Sequence, residues 1–218
     1  MRKTFDAELQ ELNYEMIDMA AAAEDAIDVV TESLASGDDA AAKSAVEMTR
    51  SMDQMERDIE NRCLRLLLQQ QPVARDLRQI SAALKMITDM ERIGDQAEDI
   101  AEIIAFLEDR QAENDAVFRE MARAVIQMVT ESVDAYVKCD IILAKKVIAD
   151  DDYVDDCFAR IKQSLISRIA AAPTEGEYAL DLLMIAKYYE RIGDHATNIA
   201  EWVIYSVTGV HKDEITLT

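Results

Sequence analysis

Pairs of carboxylates one helical turn apart are the residues of this sequence best suited to chemistry. Glu91 and Asp95 stand four positions apart, and Glu190 and Asp194 repeat that spacing later in the chain. On a helix each pair shares one face, where like charges at this spacing cost about 0.2–0.5 kcal/mol. Clustered carboxylate oxygens bind cations such as Mg²⁺, Mn²⁺ or iron. The pairs are therefore candidate metal ligands.

A further group of acids precedes each pair. Asp151 and Asp155 belong to a run of five aspartates in seven residues, again four positions apart. The matching first-half positions are Thr49 and Asp53, followed by acids that begin at Glu56. If the two acidic helices of each half are neighbours, their carboxylates can face each other and hold a cation.

Two other interpretations of these acids remain open. Acids four residues apart are common on solvated helix faces, and the chain has a net charge of −21. Arg92 and Arg191 also stand three residues before Asp95 and Asp194, a spacing that allows ion pairs on a helix surface.

The histidines exclude one kind of metal protein. An enclosed di-iron carboxylate bundle requires Glu-x-x-His on two helices. Ile192 and Thr208 stand three residues before His195 and His211, so the motif is missing. His195 directly follows Asp194 and either adds one nitrogen ligand or is an ordinary helix residue.

The elements that position these residues are helices. Gly and Pro together number 7 of 218 residues, too few for the turns of a sandwich or barrel. The segments between these breakers are rich in Ala, Leu, Met, Glu and Arg, which favour helices. The sequence predicts an all-α protein with helices near 5–36, 39–70, 73–109, 114–137, 140–171 and 175–207.

The chain repeats itself. Nine of the twelve residues from Glu91 to Glu102 recur unchanged 99 positions later. Pro72 and Pro173 each open the third helix of a half. We therefore predict two pseudo-symmetric three-helix bundles, with a first domain over 1–110 and a second over 111–218.

A stripe of small and apolar residues marks the core face of each third helix. Gly94 and Gly193 lie within these stripes, where close helix packing is the simplest reason for a glycine. The stripes step alternately by three and four, as in a bundle. They comprise Ile80, Ala83, Ile87, Met90, Gly94, Ala97, Ala101 and Ile104, then Ala179, Leu182, Ala186, Tyr189, Gly193, Ala196, Ala200 and Val203.

Charge and composition limit the function. A net charge of −21 is repelled by nucleic acid and by anionic lipid. Three cysteines suggest a reducing compartment, and the sequence shows no signal peptide and no apolar run long enough to insert into a membrane. No Gly-rich phosphate loop, GxSxG or CxxC appears. We expect a soluble cytoplasmic protein that is not an enzyme.

These residues resemble the PhoU family of phosphate-signalling regulators along essentially the whole chain. The resemblance rests on Gln71-Pro72, on Asp76-Leu77-Arg78, on the spaced acids of the second helices, and on the ERIGD segments at 91–95 and 190–194. It implies a PhoU-like six-helix architecture of two similar bundles. It also implies a cytoplasmic protein that is often a homodimer.

The resemblance further implies a function and a set of ligands. PhoU-like proteins restrain phosphate uptake and the phosphate-starvation response by linking the ATPase of a phosphate ABC transporter (PstB) to a sensor histidine kinase (PhoR). Some bind iron, zinc or other metals, and here magnesium or manganese also suits the oxygen ligands. The implied sites comprise Asp151, Asp155, Glu190 and Asp194 in the second half, and Asp53, Glu91 and Asp95 in the first. Thr49 departs from the acid expected in the first site.

Two alternative functions use the same carboxylates. A metal-binding or buffering protein would hold many ions per chain and have no specific partner. A metal-dependent hydrolase would activate a bound water, although the sequence shows no substrate-binding motif.

Overall fold

The computed structural model describes residues 2–69, 73–107 and 115–210. The regular secondary structure in this part of the chain is all helical, and this part contains no strand. The predicted all-α class and the six helices are confirmed. They are α1 Arg2–Ser36, α2 Asp39–Gln69, α3 Ala74–Ile104, α4 Asp115–Lys138, α5 Ile141–Ala171 and α6 Gly176–Thr208, with a short 3-10 turn at Pro173–Glu175 before α6.

Local chemistry ends the helices where the sequence suggested. Gly37 follows α1 with φ of 74°, a left-handed conformation that glycine adopts without strain. Cys139 takes the same region with φ of 53° and ends α4. The Asp140 side chain then accepts hydrogen bonds from the backbone N–H groups of Ile142 and Leu143, which caps α5. Pro72, a predicted start signal for α3, lies outside the described residues.

The six helices share one core rather than forming two separate ones. The helices α1, α3, α6 and α4 form a ring in which each contacts the next. The outer helix α2 packs on α1 and α3, and α5 packs on α4 and α6. The most extensive contact joins α3 to α6, so the two halves meet through their ERIGD helices.

The α3–α6 contact is antiparallel. Arg78, near the start of α3, donates a 3.5 Å hydrogen bond to the carbonyl of Ser206, near the end of α6. Asp89, halfway along α3, contacts His195 on α6. Across the halves, the buried Tyr189 hydroxyl on α6 lies 2.7 Å from Thr31 Oγ1 on α1.

The predicted apolar stripes are confirmed. Every residue of the α3 and α6 stripes is buried, Gly94 and Gly193 included. The structure buries a second row beside each stripe because both helices are packed against three others. This row comprises Met86, Ile93 and Ile100 on α3, and Ile185, Ile192 and Ile199 on α6, each fully buried.

The division between residues 110 and 111 lies outside the described residues and stays a prediction. Cys63 and Cys157 are buried, as expected for small core residues. None of the described helices combines the length and apolar character that crossing a lipid bilayer requires.

Candidate metal centre

The second seam, where α5 packs on α6 at Gly193, holds a carboxylate against the core. A Cβ placed on Gly193 would lie 3.3 Å from Asp151 Oδ1 and 3.4 Å from Val154 Cγ1. The absent side chain of Gly193 therefore lets α5 approach α6 closely. This approach leaves Asp151 only partly exposed beside the buried stripe.

The four acids predicted for the second half come together at this seam. Burial, followed by the charges of Asp194, Asp155 and Glu190, raises the pKa of Asp151 from its ordinary 3.8 to about 6. Burial also raises the pKa of Asp194, followed by the charge of Glu190. A cation bound here would relieve this repulsion.

One cation of the chain already acts on the second seam. The ammonium of Lys187 donates a hydrogen bond to Glu190 on the same helix. The Lys187 charge also lowers the pKa of Asp194, although burial and Glu190 outweigh it. One ammonium among four carboxylates leaves the second seam negative.

The first seam, where α2 packs on α3 at Gly94, is built differently. A Cβ on Gly94 would lie 3.0 Å from the Met52 sulfur, so a thioether fills the space beside this glycine. Thr49 stands where the second half has Asp151. It is 4% exposed, and its hydroxyl donates to Glu98 at 3.0 Å. At this position the first seam therefore has a hydroxyl in place of the partly buried carboxylate of the second.

The three acids predicted for the first half lie at this seam, and an arginine lies within 4.0 Å of each of them. Arg92 donates a 2.9 Å hydrogen bond to Asp95 and lies 3.6 Å from Glu91. Asp53 is half exposed and 4.0 Å from Arg57. The ion-pair interpretation is thus confirmed for Arg92 and Asp95. By contrast, Arg191 acts on Asp99 of the other half, where burial and the charge of Glu102 raise the pKa of Asp99 and Arg191 opposes that rise.

Glu56 is a member of the first seam that the sequence reasoning did not place among the ligands. Burial raises the pKa of Glu56, as do the charges of Glu60 and Asp53. Thr88 on α3 forms a side-chain hydrogen bond to it. Burial and then the Asp95 charge raise the pKa of Glu91, and Glu56 adds to this effect. The spacing of three residues from Asp53 was the available signal, since it keeps both on one face of α2.

The side chain of His195 takes part in the contact between the two halves. Its Nδ1 lies 2.9 Å from Asp89 Oδ1 on α3, and the Asn198 amide donates to the same oxygen at 3.2 Å. The ring therefore bridges α6 to α3, in agreement with its interpretation as a helix residue. His211 lies outside the described residues.

Acidic side chains gather at both seams, but the described residues are not arranged as a complete set of metal ligands. Over residues 2–69, 73–107 and 115–210, no three His, Cys, Asp or Glu side chains converge as metal ligands do. Ligation at the second seam would require carboxylate rotamers that turn inward from those shown. The site chemistry is oxygen-only, which suits hard cations.

The internal repeat also appears when the chain is compared with known proteins. The PhoU domain family model matches residues 16–104 and again 118–203, one match in each half. The chain belongs to the PhoU family.

Relatives of this PhoU-family protein extend over nearly the whole chain. The "Phosphate-specific transport system accessory protein PhoU homolog" of Clostridium acetobutylicum is 37% identical over 97% of this chain and 98% of that protein. The Pseudomonas aeruginosa protein of the same description is 34% identical over 98% of this chain and 89% of its own length.

Solved structures agree with the fold. The crystal structure of PhoU from Pseudomonas aeruginosa superimposes with a TM-score of 0.88 at 33% identity, covering 94% of this chain and 100% of that one. The phosphate transport system regulatory protein PhoU from Streptococcus pneumoniae gives 0.86 at 24% identity, covering 95% of this chain and 98% of that one. At 24% identity, the similarity to the Streptococcus pneumoniae structure supports the fold and nothing more.

Proposed function

We propose that this protein is a regulatory accessory protein of a phosphate transport system. In this role it restrains phosphate uptake and the starvation response by joining the transporter ATPase to a sensor histidine kinase in the cytoplasm. The main support for this proposal is that the PhoU domain model matches both halves of the chain. Relatives that are 37% and 34% identical over at least 97% of the chain carry the description of transport accessory protein.

The body of the molecule suits an adaptor. One shared core runs through six packed helices, so surfaces on both halves keep a fixed relation to each other. The net charge of −21 favours basic patches on partner proteins and speeds encounter with them. Salt should weaken that effect, because exposed charges are screened within about 10 Å at 0.1 M ionic strength. We also propose a homodimer as the working assembly.

The metal part of the proposal rests on the second seam. Asp151, Asp155, Glu190 and Asp194 would hold a cation such as iron, zinc, magnesium or manganese. The bound ion would cancel carboxylate repulsion and give α5 and α6 a defined docking face. Asp53, Glu91 and Asp95 form the weaker site, because Arg92 already supplies a positive charge there.

Affinity capture from the native host, grown with and without phosphate, tests the adaptor role. Mass spectrometry should recover the transporter ATPase or the sensor kinase, in amounts that change with phosphate supply. Recovery of neither under both conditions, from a folded bait, would contradict the adaptor role. Extraction at several salt concentrations then measures the contribution of charge.

Elemental analysis tests the metal part separately. Chelator-treated protein is reloaded with each metal, dialysed and measured for bound ions. The double change Asp155→Asn and Asp194→Asn should abolish tight binding, whereas Asp53→Asn with Asp95→Asn should remove less. Equal losses from both pairs, or no retained metal in the unaltered protein, would contradict this assignment. Many ions per chain would favour the buffering alternative.

A further inference from the structure

Two cavities lie at opposite ends of the antiparallel α3–α6 pair. The basic cavity lies where α3 begins and where α4 and α6 end, and its volume is about 360 Å³. It is lined by Arg75, Gln79, Cys139, Ser206 and Val207. The acidic cavity lies where α3 ends and α6 begins, and its volume is about 470 Å³. The acidic cavity is lined by Ile103, Phe106, Leu107, Thr174, Glu177, Tyr178 and Asp181.

The internal repeat relates these cavities. At the repeat spacing, Gln79 corresponds to Tyr178, and both line their cavities. Leu107 and Ser206 correspond in the same way at the opposite wall. The two cavities are therefore the same place in the two copies of the three-helix unit. A difference in their chemistry therefore does not follow from the fold.

The charge of the two cavities is reversed. Arg75, which lines the basic cavity, corresponds to Thr174 at the acidic one. Arg78, which contacts the lining residue Ser206, corresponds to Glu177, and Asp181 adds a second carboxylate to the acidic cavity. Among the described residues that line the basic cavity, none is acidic. In a chain with 44 acidic and 23 basic residues, a cavity wall with an arginine, and a second arginine one turn away, is unusual.

The groups at the basic cavity are hydrogen-bond donors. Arg75 is exposed and forms no ion pair with the described residues, so a ligand can reach its guanidinium donors. Arg78 uses Nε on the carbonyl of Ser206, which leaves its terminal nitrogens. The hydroxyl of Tyr136 donates to the Gln79 carbonyl at 3.2 Å and fixes that turn of α3, while the Gln79 amide can donate.

Local fields favour an anion near Arg75. Arg75 lies in the first turn of α3, where the helix dipole is positive, and the buried carboxylate of Asp76 in the same turn offsets part of that field. Arg78 meets the carbonyl end of α6, so the negative end of that helix is offset by its charge. The carboxylate of Asp140, next to Cys139, is occupied by backbone N–H groups at the start of α5.

We propose that the basic cavity binds a small tetrahedral oxyanion, of the class to which inorganic phosphate and phosphate monoesters belong. Guanidinium groups match such anions through paired, charge-assisted hydrogen bonds. Arg75 is the principal contact, with Arg78 and the Gln79 amide beside it. The Ser206 hydroxyl lines the wall but donates to the Val203 carbonyl at 2.7 Å. This inference does not depend on the accessory role or on the metal site.

Calorimetric titration of the full chain at constant ionic strength tests the inference. The probes are inorganic phosphate, sulfate and glycerol phosphate. Arg75→Ala should weaken phosphate binding at least about tenfold, as expected for loss of charge-assisted hydrogen bonds. The matched variant Lys85→Ala removes an exposed cation from the same helix and should leave affinity unchanged. Thermal melts confirm that both variants fold.

Each outcome bears on the proposal. Tighter binding of glycerol phosphate identifies an ester as the ligand, tighter binding of phosphate identifies the free ion, and equal binding of sulfate supports a general oxyanion site. Absence of binding at millimolar probe, or equal weakening by Arg75→Ala and Lys85→Ala, would overturn it. Neither result changes the partner-capture experiment, so the two proposals fail independently.

Discussion

The first and second seams each have a glycine at the equivalent position of the repeat, but the two glycines face different side chains. Gly94 faces the Met52 thioether, whereas Gly193 faces the Asp151 carboxylate and the branched side chain of Val154. The duplicated helix therefore keeps its close packing in both halves, while its chemistry depends on the helix opposite. The comparison teaches that a repeated motif marks a repeated crossing and need not mark a repeated site.

A single pair of positions carries most of this difference. Thr49 turns its hydroxyl to Glu98, while Asp151 at the matching place joins three other carboxylates. Arg92 then adds a positive charge in the first seam, where it contacts Asp95. Both seams thus keep carboxylate repulsion that a cation could relieve, and Arg92 offsets part of it in the first.

The largest expected effect comes from filling the second glycine. Gly193→Leu should lower the free energy of unfolding by about 1–3 kcal/mol, because overpacking displaces α5. Gly94→Leu should cost less, since the unbranched Met52 side chain can rearrange. Urea denaturation measures both. Gly176→Leu is the control, because nothing lies within 4 Å of a Cβ at that position.

An unchanged denaturation midpoint for Gly193→Leu would show that this crossing is not tight. Equal losses at the two glycines would remove the distinction between the seams.

The next effect is a pH dependence from Asp151. Folding raises its pKa from 3.8 to about 6, so the folded state binds more protons than the unfolded chain between these values. Stability from this group is therefore lost as the pH rises from about 4 to about 6 and stays low at pH 7. Asp151→Asn should raise the unfolding free energy at pH 7 by about 1 kcal/mol, after allowance for solvent screening.

Thermal or urea unfolding at pH 5 and pH 7 measures that change. The gain from Asp151→Asn should shrink at the lower pH, where the wild-type carboxyl is protonated. Asp53→Asn is the first-half control and should change little, because its carboxylate is half exposed. A pH-independent effect of Asp151→Asn would contradict the assignment.

A smaller effect is expected from the hydrogen bond between the halves. Tyr189→Phe should cost about 0.5–1.5 kcal/mol, the usual range for one buried hydrogen bond. Met90 occupies the matching position in the first half and makes no such bond, so the loss has no counterpart there. Thr31→Val completes a double-mutant cycle measured by chemical unfolding. Strictly additive costs would show that the two hydroxyls are not coupled.

The smallest effect is expected at Arg92. Its side chain is 56% exposed, so Arg92→Ala should change stability by no more than about 0.5 kcal/mol. The same variant should strengthen Mn²⁺ binding at the first seam, because the competing positive charge is removed. Arg191→Ala serves as the matched change on α6. A Mn²⁺ titration that finds no difference between them would argue against Arg92 as the reason for a weaker first site.

The helices could be predicted closely because their signals are local. The stripes of α3 and α6 and the breaks near Gly37 and Pro173 depend on neighbours in sequence, and the structure places them as expected. The four acids of the second seam were also found by spacing. Glu56 was not, since its contact with Thr88 depends on how α2 is rotated against α3.

The sequence by itself determined six helices, their buried faces and a duplicated pair of acids, because helical periodicity and turn residues act over a few positions. Only the tertiary structure decided which residue faces each glycine, that His195 bridges to Asp89, and that the two related cavities are oppositely charged. These features depend on the relative rotation and offset of helices far apart in the chain, which local periodicity does not specify.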